Sequence, residues 1–194
     1  SAATAGTSGV IYSVTDHAAH DERSRVNTFV HVNDQYGVLL CINGTGILNS
    51  WLRRNMFNGL DYTKINELAA QAPAGSDGLR IFPFGNGAER VLENLDLGAV
   101  VRHLDLNRHD QRHVARAAQE GIVFSLQYGM EVMAGMGMEM KTVRAGYANM
   151  FLSPLFAETF ATTTGCRVEL YNTDGAMGAA RAAGYGSGSY PDLR

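Results

Sequence analysis

Residues 5–14 read Ala5-Gly6-Thr7-Ser8-Gly9-Val10-Ile11-Tyr12-Ser13-Val14, and this stretch decides the fold. Two glycines bracket two hydroxyl side chains, and an apolar, β-branched run follows at once. The run has the character of a strand, and the glycines supply a turn joining it to the apolar residues before it. Such a turn aims backbone N–H groups and two hydroxyls at one spot, an arrangement that suits a phosphate. The turn falls within the first ten residues of a chain that starts with serine. A phosphate cradle so early predicts that the sequence is a piece of a longer protein.

Outward from the turn, residues 26–32 and 36–42 also read as strands, with Asn33-Asp34-Gln35 as a hairpin turn. The charged stretch 16–25 reads as a solvated loop. Helical patterns follow over 47–57 and from Asp61, a good N-cap, to Ala72. Residues 79–84 read as a central strand running into the loop 85–90. The longest helix is predicted from Asp110 to about Met133, because Val114, Ala118, Ile122, Leu126 and Met130 recur at helical spacing. Then come a strand over 143–146, a helix capped by Asn149 or Ser153 and stopped by Gly165, and a strand over 166–171. A last helix, capped by Asp174, dissolves into the glycines of 184–188. The expected architecture is α/β, one domain with a mixed sheet flanked by helices and glycines at the strand–helix junctions. The 194 residues suffice for a substantial core, and neither a repeat nor a linker divides them.

The net charge of −3, with both signs interspersed, favours neither nucleic acid nor an anionic membrane as partner. No apolar run has the length of a bilayer span, and none reads as a secretory segment. Cys41 and Cys166 fall in apolar strand-like runs and read as small buried hydrophobes of a reducing compartment. Cytoplasmic placement is therefore the default expectation.

Each candidate motif has a functional reading and a plainer one. Gly44-Thr45-Gly46 stands between strand and helix as a dinucleotide fingerprint would, but Asn49 holds the third glycine position. A tight turn lining a cleft accounts for it more fully. No Gly-Lys-Ser/Thr phosphate loop occurs. His103, His109 and His113 crowd the start of the long helix, the last two spaced as zinc ligands can be. Arg102, Arg108, Arg112 and Arg116 surround them and disfavour a cation, so a solvated polar face is expected. Met130, Met133, Met136, Met138 and Met140 read as core filling. Glu89-Arg90 is either a loop ion pair or a lip over a cleft. In Ala145-Gly146-Tyr147-Ala148-Asn149 a strand gives way to a helix. There Asn149 either caps that helix or hydrogen-bonds an adenine lying flat against the chain.

Taken in order, these motifs resemble one family, the FGGY carbohydrate kinases. The resemblance covers nearly all of residues 1–194 and is to the family's C-terminal nucleotide-binding domain, without the N-terminal sugar-binding domain. Gly6-Thr7-Ser8-Gly9 resembles the second phosphate motif. Residues 81–90 resemble the Pro-Tyr-Leu-x-Gly-Glu-Arg loop, and residues 98–121 the second signature. Residues 145–149 resemble the adenosine motif, and residues 174–180 the closing Gly-Ala-Leu-Gly-Ala-Ala helix. Among sugar kinases the similarity is best to xylulose kinases, while residues 148–152 are also similar to glycerol kinases.

The resemblance implies an actin-like ATPase (ribonuclease H-like) domain. It also implies transfer of the ATP γ-phosphoryl group to a sugar hydroxyl, with Mg2+ bridging phosphates. D-xylulose is the first expectation, and glycerol, ribulose or gluconate are the alternatives. Thr7, Ser8 and Gly9 would hold phosphate oxygens, Gly146 and Asn149 would border the adenosine, and Gly85, Asn86 and Gly87 would line the cleft. The helix over 175–183 would join a hinge contact whose closure excludes water. No metal ligand and no catalytic residue is assigned within the chain. The general-base aspartate is expected upstream of Ser1, which would leave the isolated chain inactive. The sugar would be met through the N-terminal domain, and a homodimer is allowed. An alternative of another class is a nucleotide-binding or interaction module without kinase activity.

Overall fold

Strand β1 (Ala2–Ala5) turns back at Gly6 and Thr7 into β2 (Ser8–Thr15), an antiparallel pair with Ala5 opposite Gly9. The structure, a computed structural model, describes residues 1–32 and 34–192. Strands β3 (Asn27–Val30) and β4 (Tyr36–Asn43) pair antiparallel, and the His31 N–H donates to the Gln35 carbonyl at 2.7 Å. Asn33 of the expected hairpin turn lies outside the described residues. Helices α1 (Thr45–Asn55) and α2 (Tyr62–Gln71) follow, then the short strands β5 (Arg80–Phe82) and β6 (Val100–Arg102). The chain ends with α3 (Gln111–Gly135), β7 (Thr142–Gly146), α4 (Pro154–Thr164), β8 (Arg167–Tyr171) and α5 (Gly175–Gly186).

The main sheet runs β3-β4-β2-β1-β7-β8, with β1, β7 and β8 parallel and the remaining neighbours antiparallel. The sequence predicts such a mixed sheet flanked by helices. Parallel pairing of β7 and β8 needs a crossover, which α4 provides. Along β2 and β4 burial alternates, so Ile11, Leu40 and Ile42 are fully buried while Val10, Leu39 and Cys41 are partly exposed. Leu40 packs against Gly129 of α3, whose own apolar face buries Ile122, Leu126 and Met133. Asp110 caps this long helix, its side chain accepting the Arg112 N–H at 2.9 Å. Met130 and Met133 are buried, and Met136, Met138 and Met140 pack against the core, as expected. Cys41 and Cys166 are both free thiols, the first half-buried and the second buried. Among the described residues no helix is long and apolar enough to cross a membrane.

One local reading changes. The stretch 79–84 is not a central strand: β5 covers three residues and pairs only with β6, in a separate two-stranded ribbon. Strand β6 lacks a buried face, so no alternation announces it in the sequence. The 16–25 loop is largely exposed, as its charge suggests, apart from one ion pair within it. Arg25 grips Asp21 through Nε (2.9 Å) and Nη2 (2.6 Å), and the two side chains are only 19% and 6% exposed.

Hydrogen bonding to the Arg25 guanidinium holds the Asp21 carboxyl at about 2, below its ordinary value. A depressed folded value means that the pair stabilises fully above about pH 4, the unfolded range. That contribution is lost as the pH falls from there through about 2. The melting-temperature difference between wild type and Asp21→Asn should therefore be constant above pH 5 and shrink toward zero below pH 3. A difference that does not change with pH would show that the ion pair is energetically silent.

Candidate functional site

The turn between β1 and β2 is held by the start of α1. Gly46 N–H donates to the Gly6 carbonyl at 2.8 Å, and Ile47 N–H to the Thr7 carbonyl at 3.3 Å. A helix N-terminus has N–H groups without intrahelical partners, and here the turn takes two of them. The helix thus begins at Thr45, two residues before the predicted 47. It can do so because Gly44 adopts φ +112° beside the Pro83 carbonyl, and because Gly46 has no Cβ to collide with Gly6.

The four turn residues separate in depth. Thr7 is exposed at the mouth, while Ser8 and Gly9 lie inside β2, with Gly9 buried beneath Thr45 and Leu126. Ser8 Oγ donates to Asn43 Oδ1 at 3.3 Å, and Asn43 Nδ2 donates to the Asn86 carbonyl at 2.8 Å. This relay ties the Gly85-Asn86-Gly87 loop to the turn between β1 and β2, although none of the three loop residues lines the cavity described next.

A cavity of about 770 Å³ opens beside the turn. Its walls are Gly6 and Thr7, the start of α1, the exposed face of α2, and Asn149, Met150 and residues 152–155. Asn149 stands at φ +54°, a left-handed conformation that asparagine tolerates, and its side-chain amide lies over Gly6. The adenosine-like and phosphate-like motifs, near opposite ends of the chain, therefore meet at one opening. Asn149 opens a short 3-10 turn, and Ser153 is the actual cap of α4, accepting the Phe156 N–H at 3.3 Å. Asn49 forms part of the cavity wall and donates from Nδ2 to Met150 Sδ at 3.3 Å. Gly146 sits at the end of β7 against the Thr173 carbonyl and does not line the cavity.

The wall contributed by α2 escapes the sequence reading. Tyr62, Thr63, Asn66 and Ala70 share a helix face that lines the cavity. Their spacing is visible in the sequence, but a polar face on an amphipathic helix ordinarily meets solvent.

The histidine cluster also differs from expectation. His113 is 5% exposed, with Nδ1 3.0 Å from Asp110 Oδ1 and Nε2 3.3 Å from Asp77 Oδ2. It completes the cap of α3 and is no part of a solvated face, whereas His103 is exposed and His109 is half-buried, its Nδ1 accepting the Asp105 N–H. Hydrogen bonding to Arg112 holds the Asp110 carboxyl well below the usual carboxylate range. Among the described residues no group of three His, Cys, Asp or Glu side chains could hold a metal ion. Glu89 and Arg90 form no ion pair among the described residues, and Arg23 pairs with Glu93 instead.

The chain as a whole is similar to known proteins. A family model described as the FGGY family of carbohydrate kinases, C-terminal domain, matches residues 1–187. A xylulose kinase of Haemophilus influenzae is 29% identical over 167 residues, covering 84% of this chain and 33% of the relative. A xylulose kinase of Bacillus subtilis is 28% identical over 193 residues, covering 97% and 38%. The chain thus spans between a third and two-fifths of the length of these curated relatives. The crystal structure of ligand-bound xylulose kinase from Lactobacillus acidophilus superposes with a TM-score of 0.87 at 22% identity, covering 99% of this chain and 39% of that one. At that identity the likeness establishes the fold.

Proposed function

The chain belongs to the FGGY family of carbohydrate kinases, and from that membership we propose that it is the ATP-binding part of a kinase that phosphorylates D-xylulose. The observation that carries this reading is the meeting of the Gly6-Thr7 turn and Asn149 at one cavity, of a size suited to a small ligand. In this reading Gly6 and Thr7, which line the cavity, meet the β- and γ-phosphates, while Ser8 and Gly9 hold the turn from within β2. Asn149 borders the adenosine, while Gly146 and the Gly85-Asn86-Gly87 loop, which lie off the cavity wall, support the site from outside, the loop through Asn43. Phosphoryl transfer asks for positioning and charge stabilisation, which a rigid turn clamped by a helix start supplies.

Magnesium, as the reading has it, travels with the nucleotide. The described residues offer no cage of carboxylates, and Mg2+ is commonly held by phosphates and waters with few protein ligands. The sugar pocket and the general base that takes the hydroxyl proton belong to the rest of the kinase. Helix α5, which buries none of its residues here, supplies part of the contact between the two parts.

Calorimetric titration of this chain with a non-hydrolysable ATP analogue and Mg2+ tests the proposal. One-to-one binding is expected, with no phosphorylation of D-xylulose when ATP is supplied. Asn149→Ala should weaken binding by about tenfold, the worth of one hydrogen bond to a ligand. Absence of nucleotide binding would refute the reading, and robust turnover would refute the placement of the base outside this chain.

A further inference from the structure

We propose that Gln119 is a positioning residue of the nucleotide cavity, joining its two walls and turning the Asn66 amide so that its N–H donors meet the base. The proposal rests on the nucleotide reading above. Gln119 is 1% exposed on α3, behind the cavity. Its Nε2 donates to Asn66 Oδ1 at 3.0 Å, and its Oε1 accepts from Ser153 Oγ at 3.0 Å. Asn66 belongs to the α2 wall and Ser153 caps the α4 wall, and both line the cavity. One buried amide thus sets the separation of two elements 53 and 34 residues away from it in the chain.

The bridge also has a sense. Because Asn66 presents Oδ1 to Gln119, its two Nδ2 donors have no protein partner among the described residues. Asparagine has one acceptor and two donors on its amide, so the group left to the cavity is donor-only. A donor on a cavity wall takes a hydrogen-bond acceptor, and the ring nitrogens of a nucleotide base are acceptors of that kind. Gln119 itself touches no ligand. Its action runs through Asn66, and a buried polar residue that lost this partner would have to re-pair or stay unsatisfied.

The test is a double-mutant cycle on this chain, read by calorimetry with a non-hydrolysable ATP analogue and Mg2+. Gln119→Leu and Asn66→Ala should each weaken binding by about tenfold, and the double variant should lose little more than either alone. Gln119→Glu keeps the acceptor for Ser153 and removes the donor to Asn66. It should show the same loss, and it stands in if Gln119→Leu fails to fold. Wild-type affinity in either Gln119 variant would overturn the inference, as would losses that simply multiply. Failure of the wild-type chain to bind the analogue would instead overturn the nucleotide reading, and this inference with it.

Discussion

Glu120→Ala should destabilise the protein by about 3–5 kcal/mol, the range measured when one partner of a buried ion pair is removed. Arg116 and Glu120 stand one turn apart on α3 with side chains 13% and 5% exposed, joined Nε to Oε1 at 2.8 Å. Glu120 Oε1 also accepts the Gly75 N–H at 2.9 Å, and Arg116 Nη1 donates to the Ala72 carbonyl at 2.7 Å. The pair thereby pins the turn that leads from α2 toward β5. Removing the carboxylate leaves a guanidinium with no counter-charge and an N–H with no acceptor, neither well placed to reach water. For a domain of this size the loss corresponds to a fall of about 10 °C in melting temperature. Glu120→Gln, which keeps an acceptor but not the charge, should lie between wild type and alanine. A Glu120→Ala variant within about 1 kcal/mol of wild type in urea unfolding would mean that the α2–β5 turn does not depend on this pair.

Gly44→Ala should lose both stability and nucleotide binding. At φ +112° an alanine is strained whatever surrounds it, and its Cβ would overlap the Pro83 carbonyl, which is backbone and cannot rotate away. The left-handed conformation alone costs an L-residue about 1–2 kcal/mol, and the overlap adds the displacement of α1 or of residue 83. A total of about 3 kcal/mol is expected. Any displacement of α1 pulls the Gly46 and Ile47 N–H groups from the Gly6 and Thr7 carbonyls, so the turn would lose its clamp. Gly59→Ala separates the two causes, since Gly59 has φ +75° but nothing within 4 Å of the place its Cβ would take. It should cost only about 1 kcal/mol and leave binding intact. Equal effects at both glycines would show that conformation alone matters and that the clamp is unimportant.

Local chemistry explains which parts of this protein are legible in its sequence. The 3.6-residue recurrence from Val114 to Met130 marks α3 because one helix face must be apolar along its whole length. Ser153-Pro154 and Gly165 mark the ends of α4 because a cap and a left-handed glycine satisfy backbone groups within a few residues. The ribbon strand β6, by contrast, buries nothing and so carries no pattern. The early start of α1 is equally silent, since its first N–H groups are satisfied by a turn far upstream in the chain.

The same division holds at the site. The sequence by itself determined that a hydroxyl-bearing glycine turn, a strand-to-helix asparagine and a long apolar helix belong to this chain, because each is a short-range pattern of residue types. Only the tertiary structure decided that Thr7 and Asn149 face one cavity, that α2 supplies its other wall, and that Gln119 and His113 are buried with polar partners. Those outcomes depend on hydrogen bonds between residues dozens of positions apart, formed only where packing has excluded water. A polar residue on a helix face reads the same in sequence whether solvent or another helix will receive it.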